Sequence, residues 1–330
     1  MNTTNKKTDK KRRIDLYSLK EIGVLVTALI IYMLVAAIEP RFLMYDNIKS
    51  ILLYVPLIIV VAMGEMMVII TGNIDLSLGS ILGFAGIAVG LFFIRTPDFP
   101  VIPAFLMGAF VGLVLGFFNG LLISKLRIPS IIVTLGTLTA YRGLLFIVSG
   151  GRQIDPNYIP EDLIRLSQTS AIGIPAIIIF AALFAGAAHI FMKYSHYGRE
   201  IYAMGSNLEA AKLRGINTDR IILLIYSIAG GCAGFAGIMY ASRFGYVNPG
   251  MTGVGFEFTV IAATVIGGTS ISGGIGTILG VVIGCILLGI VNTALAVLGV
   301  SAFWQQAMYG IIILLALIVD KLVQKRMAKV

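Results

Sequence analysis

Asn73, Asp75 and Ser77 stand at alternate positions of Ile70-Thr-Gly-Asn-Ile-Asp-Leu-Ser-Leu-Gly-Ser80, a polar, glycine-flanked interruption between two long apolar runs. A second interruption places Thr269, Ser270 and Ser272 among Gly267, Gly268, Gly273 and Gly274. Hydroxyls, an amide and a carboxylate so placed can hydrogen-bond a polar solute, or restore backbone groups freed where a helix breaks. Glycines permit positive φ and close backbone approach. At membrane depth such breaks must be buried in protein or face a water-filled cavity, and an acid there needs a partner. Both jobs suit a gate in a transport protein. The plainer alternative is a tight helical re-entry in which Asp75 and Ser77 cap a helix N-terminus, with Asp75 stabilised by the helix dipole.

Glu65 and Glu257 are the other acids close to apolar runs. Each can pair with a base, bond a neighbouring helix or serve in a proton relay. For Glu257, near a span end, snorkelling to the membrane surface is the expected arrangement. Thr134, Thr137, Thr139, Tyr141 and Arg142 give one apolar run a polar stripe, in which Arg142 should seek a carboxylate.

The elements that position these groups follow from composition. Of 330 residues, 58% are hydrophobic and 12% charged, and 38 are glycine, with a mean hydropathy of +0.96. Soluble domains carry about a quarter charged residues. The expected fold is therefore all-α: a polytopic integral membrane protein of about ten transmembrane helices. The spans run near 22–38, 50–71, 77–94, 101–124, 129–149, 173–194, 220–242, 257–268, 274–298 and 302–320.

The net charge of +9 reads as orientation in the lipid bilayer rather than nucleic-acid binding. A basic tail over 1–21 precedes the transmembrane domain 22–320, and a short basic tail, 321–330, follows it. With the N-terminus inside, Lys125, Arg127, Lys193, Arg199, Lys212, Arg214, Lys321, Lys325, Arg326 and Lys329 fall on the cytoplasmic side, and so do both termini. The N-terminal tail is expected to be disordered and its following apolar run an uncleaved span rather than a signal peptide.

An internal echo suggests two parallel pseudo-repeats. Val68-Ile69 precedes the first break and Gly79-Ser-Ile-Leu-Gly83 follows it, while Val265-Ile266 and Gly276-Thr-Ile-Leu-Gly280 bracket the second. Both breaks run from an inward-going helix into an outward-going one.

Between spans, in a loop over about 195–219, Ser206-Asn-Leu-Glu209 reads as a capping box. Leu208 to Arg214 has helix-forming composition, and Gly215 stands where a C-terminal cap belongs. A short cytoplasmic helix suited to docking a partner is expected there. Cys232 and Cys285 read as small buried hydrophobes. The two histidines, His189 and His196, form no His-Glu-x-x-His metal helix. No phosphate loop or Gly-x-Ser-x-Gly elbow occurs, so neither metal nor cofactor is expected in this chain and it is not expected to be an enzyme.

Four stretches together resemble the permease subunits of bacterial ABC importers for monosaccharides, the ribose, xylose and galactose group. They are Ile70 through Ser80, Thr134-Leu-Gly-Thr137 with Arg142-Gly143, Gly198-Arg199 through Gly215-Ile216-Asn217, and Ile266 through Gly276, with Phe256-Glu257 shortly before the last. The resemblance covers nearly the whole chain beyond the basic tail. It departs from the family at Asn73, where glycine is usual, at Ser206 in a Gly-Gly-Asn motif, and at Thr259, where an Asp often stands.

The resemblance implies a bacterial inner-membrane pathway made by two permease subunits, usually identical. ABC ATPase subunits holding ATP and Mg would serve it inside, and an extracytoplasmic substrate-binding protein outside. It makes the helix around Ser206, Asn207, Glu209, Ala210, Ala211 and Gly215 the coupling helix to the ATPase. Candidates for the pathway or gate are Asn73, Asp75, Ser77, Thr134, Thr137, Glu257, Thr269, Ser270 and Ser272. Close alternatives are ABC import of a branched-chain amino acid or a sugar-like signalling molecule. The rival in another class is an ion-coupled secondary transporter using Asp75, Glu65 or Glu257.

Overall fold

The computed structural model describes residues 4–168 and 173–327, and among them the regular elements are helices. Ten form the body: α1 (Thr4–Ile38), α2 (Tyr45–Ile70), α3 (Leu78–Arg95), α4 (Val101–Leu126), α5 (Ser130–Ser149), α7 (Ala176–Tyr194), α10 (Thr218–Phe244), α11 (Phe256–Ile266), α12 (Ile278–Val297) and α13 (Ala302–Met327). Three shorter helices connect them: α6 (Glu161–Gln168), α8 (His196–Ser206) and α9 (Leu208–Leu213).

Eight of these helices are long and apolar enough to cross a membrane, and two more apolar stretches, Phe256–Ile266 and Trp304–Leu315, are shorter. All ten expected spans therefore coincide with helices. At 11 residues, α11 rises only about 16 Å, about half a hydrocarbon core. The second break thus begins deep in the bundle.

One expectation fails at the N-terminus. The basic tail is helical from Thr4 and continuous with the first span, because no glycine or proline interrupts the chain before Gly23. At the other end, α13 continues through the basic residues to Met327, and the last three residues lie outside the described ones.

Four helices start directly after a proline, at Pro100, Pro129, Pro160 and Pro175. Proline has no N–H to leave unsatisfied there and its fixed φ resists extension of the helix backwards. In the loop between α1 and α2, the Arg41 guanidinium bonds the Glu39 carboxylate at 2.9 Å and holds its pKa down to about 2.

The bundle is built around α2, whose residues from Val55 to Ile70 are all buried. It packs against α10, α11 and α12, while α3 lies between α10 and α5. The outward faces of α1, α4, α5 and α7 carry exposed Leu29, Met33, Phe110, Leu113, Ile132, Leu135, Leu183 and Ile190, a surface suited to lipid.

Helices α4 and α10 meet along a glycine seam. A Cβ on Gly112 would lie 2.8 Å from the Gly234 backbone, and one on Gly230 would lie 2.8 Å from Gly116. Backbones this close are the small-residue packing of membrane helices. The seam fixes α4, and with it Asn119, against α10.

Candidate functional site

The first break, residues 71–77, turns back alongside the helix it leaves. Thr71 and Gly72 close the end of α2 through backbone bonds to Val68 and Ile69, with Gly72 at φ +77°. The Thr71 hydroxyl donates to the Val68 carbonyl at 2.7 Å, and the Asn73 amide donates to the Thr71 hydroxyl at 2.9 Å. The chain then climbs far enough for the Asp75 N–H to donate to Glu65 Oε1 at 3.2 Å.

From Asp75 a polar chain crosses the core. Asp75 Oδ1 accepts from the Ser77 N–H at 2.9 Å and the Ser77 hydroxyl at 2.6 Å. Asn119 of α4 donates to Ser77 Oγ at 2.8 Å, and the Tyr141 hydroxyl of α5 donates to Asn119 Oδ1 at 2.9 Å. The Ile74 carbonyl accepts from the Tyr226 hydroxyl at 3.3 Å and from Thr134 at 3.4 Å. Glu65, Asp75, Ser77, Asn119 and Thr134 are fully buried. The first break is thus welded to α2, α4, α5 and α10 by bonds that mostly restore its own backbone and side chains, as a re-entry requires.

The second break, residues 267–277, is shaped by positive φ at Gly268, Gly273 and Gly274. The Ser270 N–H bonds the Ile275 carbonyl at 3.0 Å and Gly273 N–H the Ser270 carbonyl at 3.0 Å, and Thr277 caps α12. Thr269 and Ser270 are buried, whereas Ser272 is exposed and Asn73 half-buried. Of the candidate gate residues in the breaks, then, Asn73 and Ser272 reach the surface. Thr137 is buried on α5.

Glu257 does not snorkel. It is 5% exposed, at the start of α11, where its carboxylate abuts Gly79 of α3 so closely that a Cβ there would collide with it. Arg142 takes backbone carbonyls rather than the expected carboxylate as its hydrogen-bond partners: its guanidinium donates to Thr252 at 2.8 Å and Pro249 at 3.2 Å. Glu257 is near enough for its charge to act on Arg142, but among the described residues no ion pair joins the two. Burial within the bundle removed the route to the surface, so the 249–257 segment holds acid and base together.

The loop between α7 and α10 is two helices rather than one. Asn207, not Ser206, caps α9: its side chain accepts from the Ala210 N–H at 2.9 Å. Ser206 ends α8 and donates to the Tyr202 carbonyl at 2.8 Å. Glu209 pairs with Lys212 at 2.8 Å on the exposed face instead of reaching back, so the capping box is corrected to a single Asn cap. Gly215 follows the helix at φ +80°, as expected, and Ala211 packs inward while Ala210 is exposed.

No local residue pattern announces that α8 joins both breaks. Gly205 lies against the Ile70 carbonyl and 2.6 Å, measured from a Cβ placed on it, from the Gly274 N–H. Gly274 N–H itself donates to the Ile70 carbonyl at 2.8 Å, and the Tyr202 hydroxyl donates to the Gly276 carbonyl at 2.7 Å. The ends of α2, the second break and α8 therefore meet at one backbone junction. Asn119 and Tyr226 were likewise missed; the lone amide in the apolar run of α4 was the available signal for the former.

Comparison with known proteins agrees with this architecture. The family described as the permease component of the branched-chain amino acid transport system matches residues 47–317. The autoinducer 2 import system permease protein LsrC of Salmonella typhi is 34% identical over 301 residues, 91% of this chain and 85% of that protein. The protein of the same name from Yersinia pseudotuberculosis serotype O:1b is 36% identical, covering 91% of this chain and 84% of its own length. That of Escherichia coli O157:H7 is 34% identical, covering 91% and 86%. No solved structure matches.

Proposed function

Because the chain belongs to the family of branched-chain amino acid transport-type permease components, multi-pass membrane subunits of import systems, we propose that it forms the solute pathway of an ATP-driven ABC importer. The observation that carries this reading is the junction of α8 with both breaks. A helix pair lying between spans, with the exposed Leu208, Glu209 and Ala210 available to a partner, touches the two places where spanning helices are interrupted.

In this reading α8 and α9 face the cytoplasm, with both chain termini, and α9 docks on an ATPase subunit that holds ATP and Mg. Two copies of the permease enclose the pathway, and an extracytoplasmic binding protein delivers the solute. Movement of α8 on nucleotide binding is passed to Ile70 and to Gly273-Gly274, changing the angle at which the breaks meet. Solute passes without chemical change. Asn73 and Ser272 are the break residues placed to meet it; Asp75, Ser77, Thr134, Thr137, Glu257, Thr269 and Ser270 shape the breaks from behind.

The solute we assign is autoinducer 2, the cargo in the names of the relatives quoted; a monosaccharide is the second reading, supported by the motif resemblance. The test is to isolate the assembly from its native membrane, identify the co-purifying chains, and measure which ligand of the binding protein stimulates ATP hydrolysis. Stimulation by autoinducer 2 but not by ribose, xylose or galactose supports the first assignment. The reverse pattern supports the second, and an assembly lacking an ATPase removes the proposal.

A further inference from the structure

Glu65 and Asp75 form a buried acid pair without a base. Each has one oxygen, Glu65 Oε2 and Asp75 Oδ2, that is fully buried and has no hydrogen-bond partner. The two residues are in direct contact through the Asp75 N–H and Glu65 Oε1. Among the described residues no ion pair involves either. Two adjacent carboxylates of the same sign, both out of water inside a membrane bundle, repel each other and lack the counter-charge that burial demands.

We propose that this pair is a proton-binding site, in which Glu65 carries a proton on Oε2 and Asp75 remains the anion. A carboxylate only accepts hydrogen bonds, whereas a carboxylic acid also donates one. The proton therefore removes one of the two charges and turns one orphaned oxygen into a donor.

The assignment to Glu65 follows from the unequal surroundings of the two acids. Asp75 Oδ1 takes two donors from Ser77 and stands at the N-terminal end of α3, where the helix dipole favours a negative charge. Glu65 takes one backbone donor at 3.2 Å and lies five residues before the end of α2 at Ile70, towards the negative end of that helix's dipole. The groups facing the pair from other elements are neutral or acidic. Tyr226 of α10 spends its hydroxyl on Ile74, and Cys232 of α10 is a buried free thiol. The neutral Asn119 amide of α4 faces both Ser77, to whose hydroxyl it donates, and the Asp75 carboxylate, and Tyr141 lies beyond it. Glu257 acts on Asp75 from farther off with like charge, while Arg142 donates to two carbonyls and lies near Glu257.

The site goes beyond the import reading and does not depend on it, since the proton is retained by the folded chain whatever drives transport. Infrared spectroscopy of the intact purified assembly at neutral pH tests it, because a protonated carboxyl group absorbs apart from carboxylates. The expected result is a neutral-acid band that shifts when glutamate is carboxyl-labelled with 13C, does not shift with labelled aspartate, persists in E257Q and is lost in E65Q. Exchange of sodium for potassium should leave it unchanged.

The labelling is done on the wild-type chain assembled with unlabelled partner subunits; because Glu65 and Glu257 are the buried glutamates among the described residues, that result together with E257Q decides the question even if E65Q does not accumulate. No glutamate band, a band that follows labelled aspartate, or one lost in E257Q would overturn the assignment. A band that appears only when sodium is withdrawn would make the pair a cation site instead.

Discussion

Gly274 donates its backbone N–H to the Ile70 carbonyl at 2.8 Å, so the second break hydrogen-bonds the last residue of the helix that leads into the first. Gly205 of α8 is wedged against the same carbonyl. Any displacement of α8 must therefore disturb both interrupted helices or break this contact.

Substitution at Gly205 should expose that linkage. G205A places a methyl group inside the Ile70 carbonyl and near Gly274, whereas G186A on α7 meets nothing within 4 Å. We expect G205A to cut uptake at least several-fold while ATP hydrolysis by the assembled complex persists, and G186A to leave both as they are. Parallel measurements of uptake and hydrolysis in reconstituted vesicles check this.

The face of α9 should matter separately from its fold. Replacing exposed Glu209 by Trp is expected to uncouple hydrolysis from uptake with normal membrane insertion. N207A, which removes the bond to Ala210, should weaken the helix by about 1 kcal/mol and lower the thermal midpoint of the complex. Uptake at wild-type rate in the Glu209 variant would remove α9 as the docking element.

Within the first break, D75N should impair uptake or assembly far more than D46N. Asp75 is buried and holds Ser77 by two bonds, while Asp46 is exposed at the start of α2. Quantifying both variants by membrane abundance and solute uptake separates lost folding from lost transport. Equal, negligible effects would show that the carboxylate holds nothing in place.

Farther along the polar chain, Y141F removes the one hydroxyl proton that Asn119 Oδ1 and the Leu115 carbonyl share, each at 2.9 Å. The ring still packs, so the loss should be about 1 kcal/mol of stability, read as a small fall in the thermal midpoint. By contrast G112A forces α4 away from α10 along the glycine seam; overpacking of this kind costs about 1–3 kcal/mol. G23A, with nothing within 4 Å, is the matched control.

The spans were legible because lipid demands long apolar helices, and the breaks because glycine and polar residues are conspicuous inside them. Even the half-length of α11 follows from the position of Gly267 and Gly268. What local sequence did not show is which groups meet across the bundle. Asp75 and Glu65 look like two isolated acids, and nothing around Glu257 announces Gly79 or Arg142 as neighbours. Ser206 and Asn207 can each cap a helix by type. The choice of Asn207 was made by packing of Gly205, which keeps α8 helical through Ser206.

Uptake by purified components in sealed vesicles tests the ATP-driven pathway most directly. With the ATPase and ATP on the side of α8 and α9 and the loaded binding protein on the other, solute should accumulate. It should do so only when both are present, and collapsing proton and sodium gradients should not stop it. Accumulation by this chain alone, driven by an imposed ion gradient without any ATPase, would contradict the pathway and make it a secondary transporter.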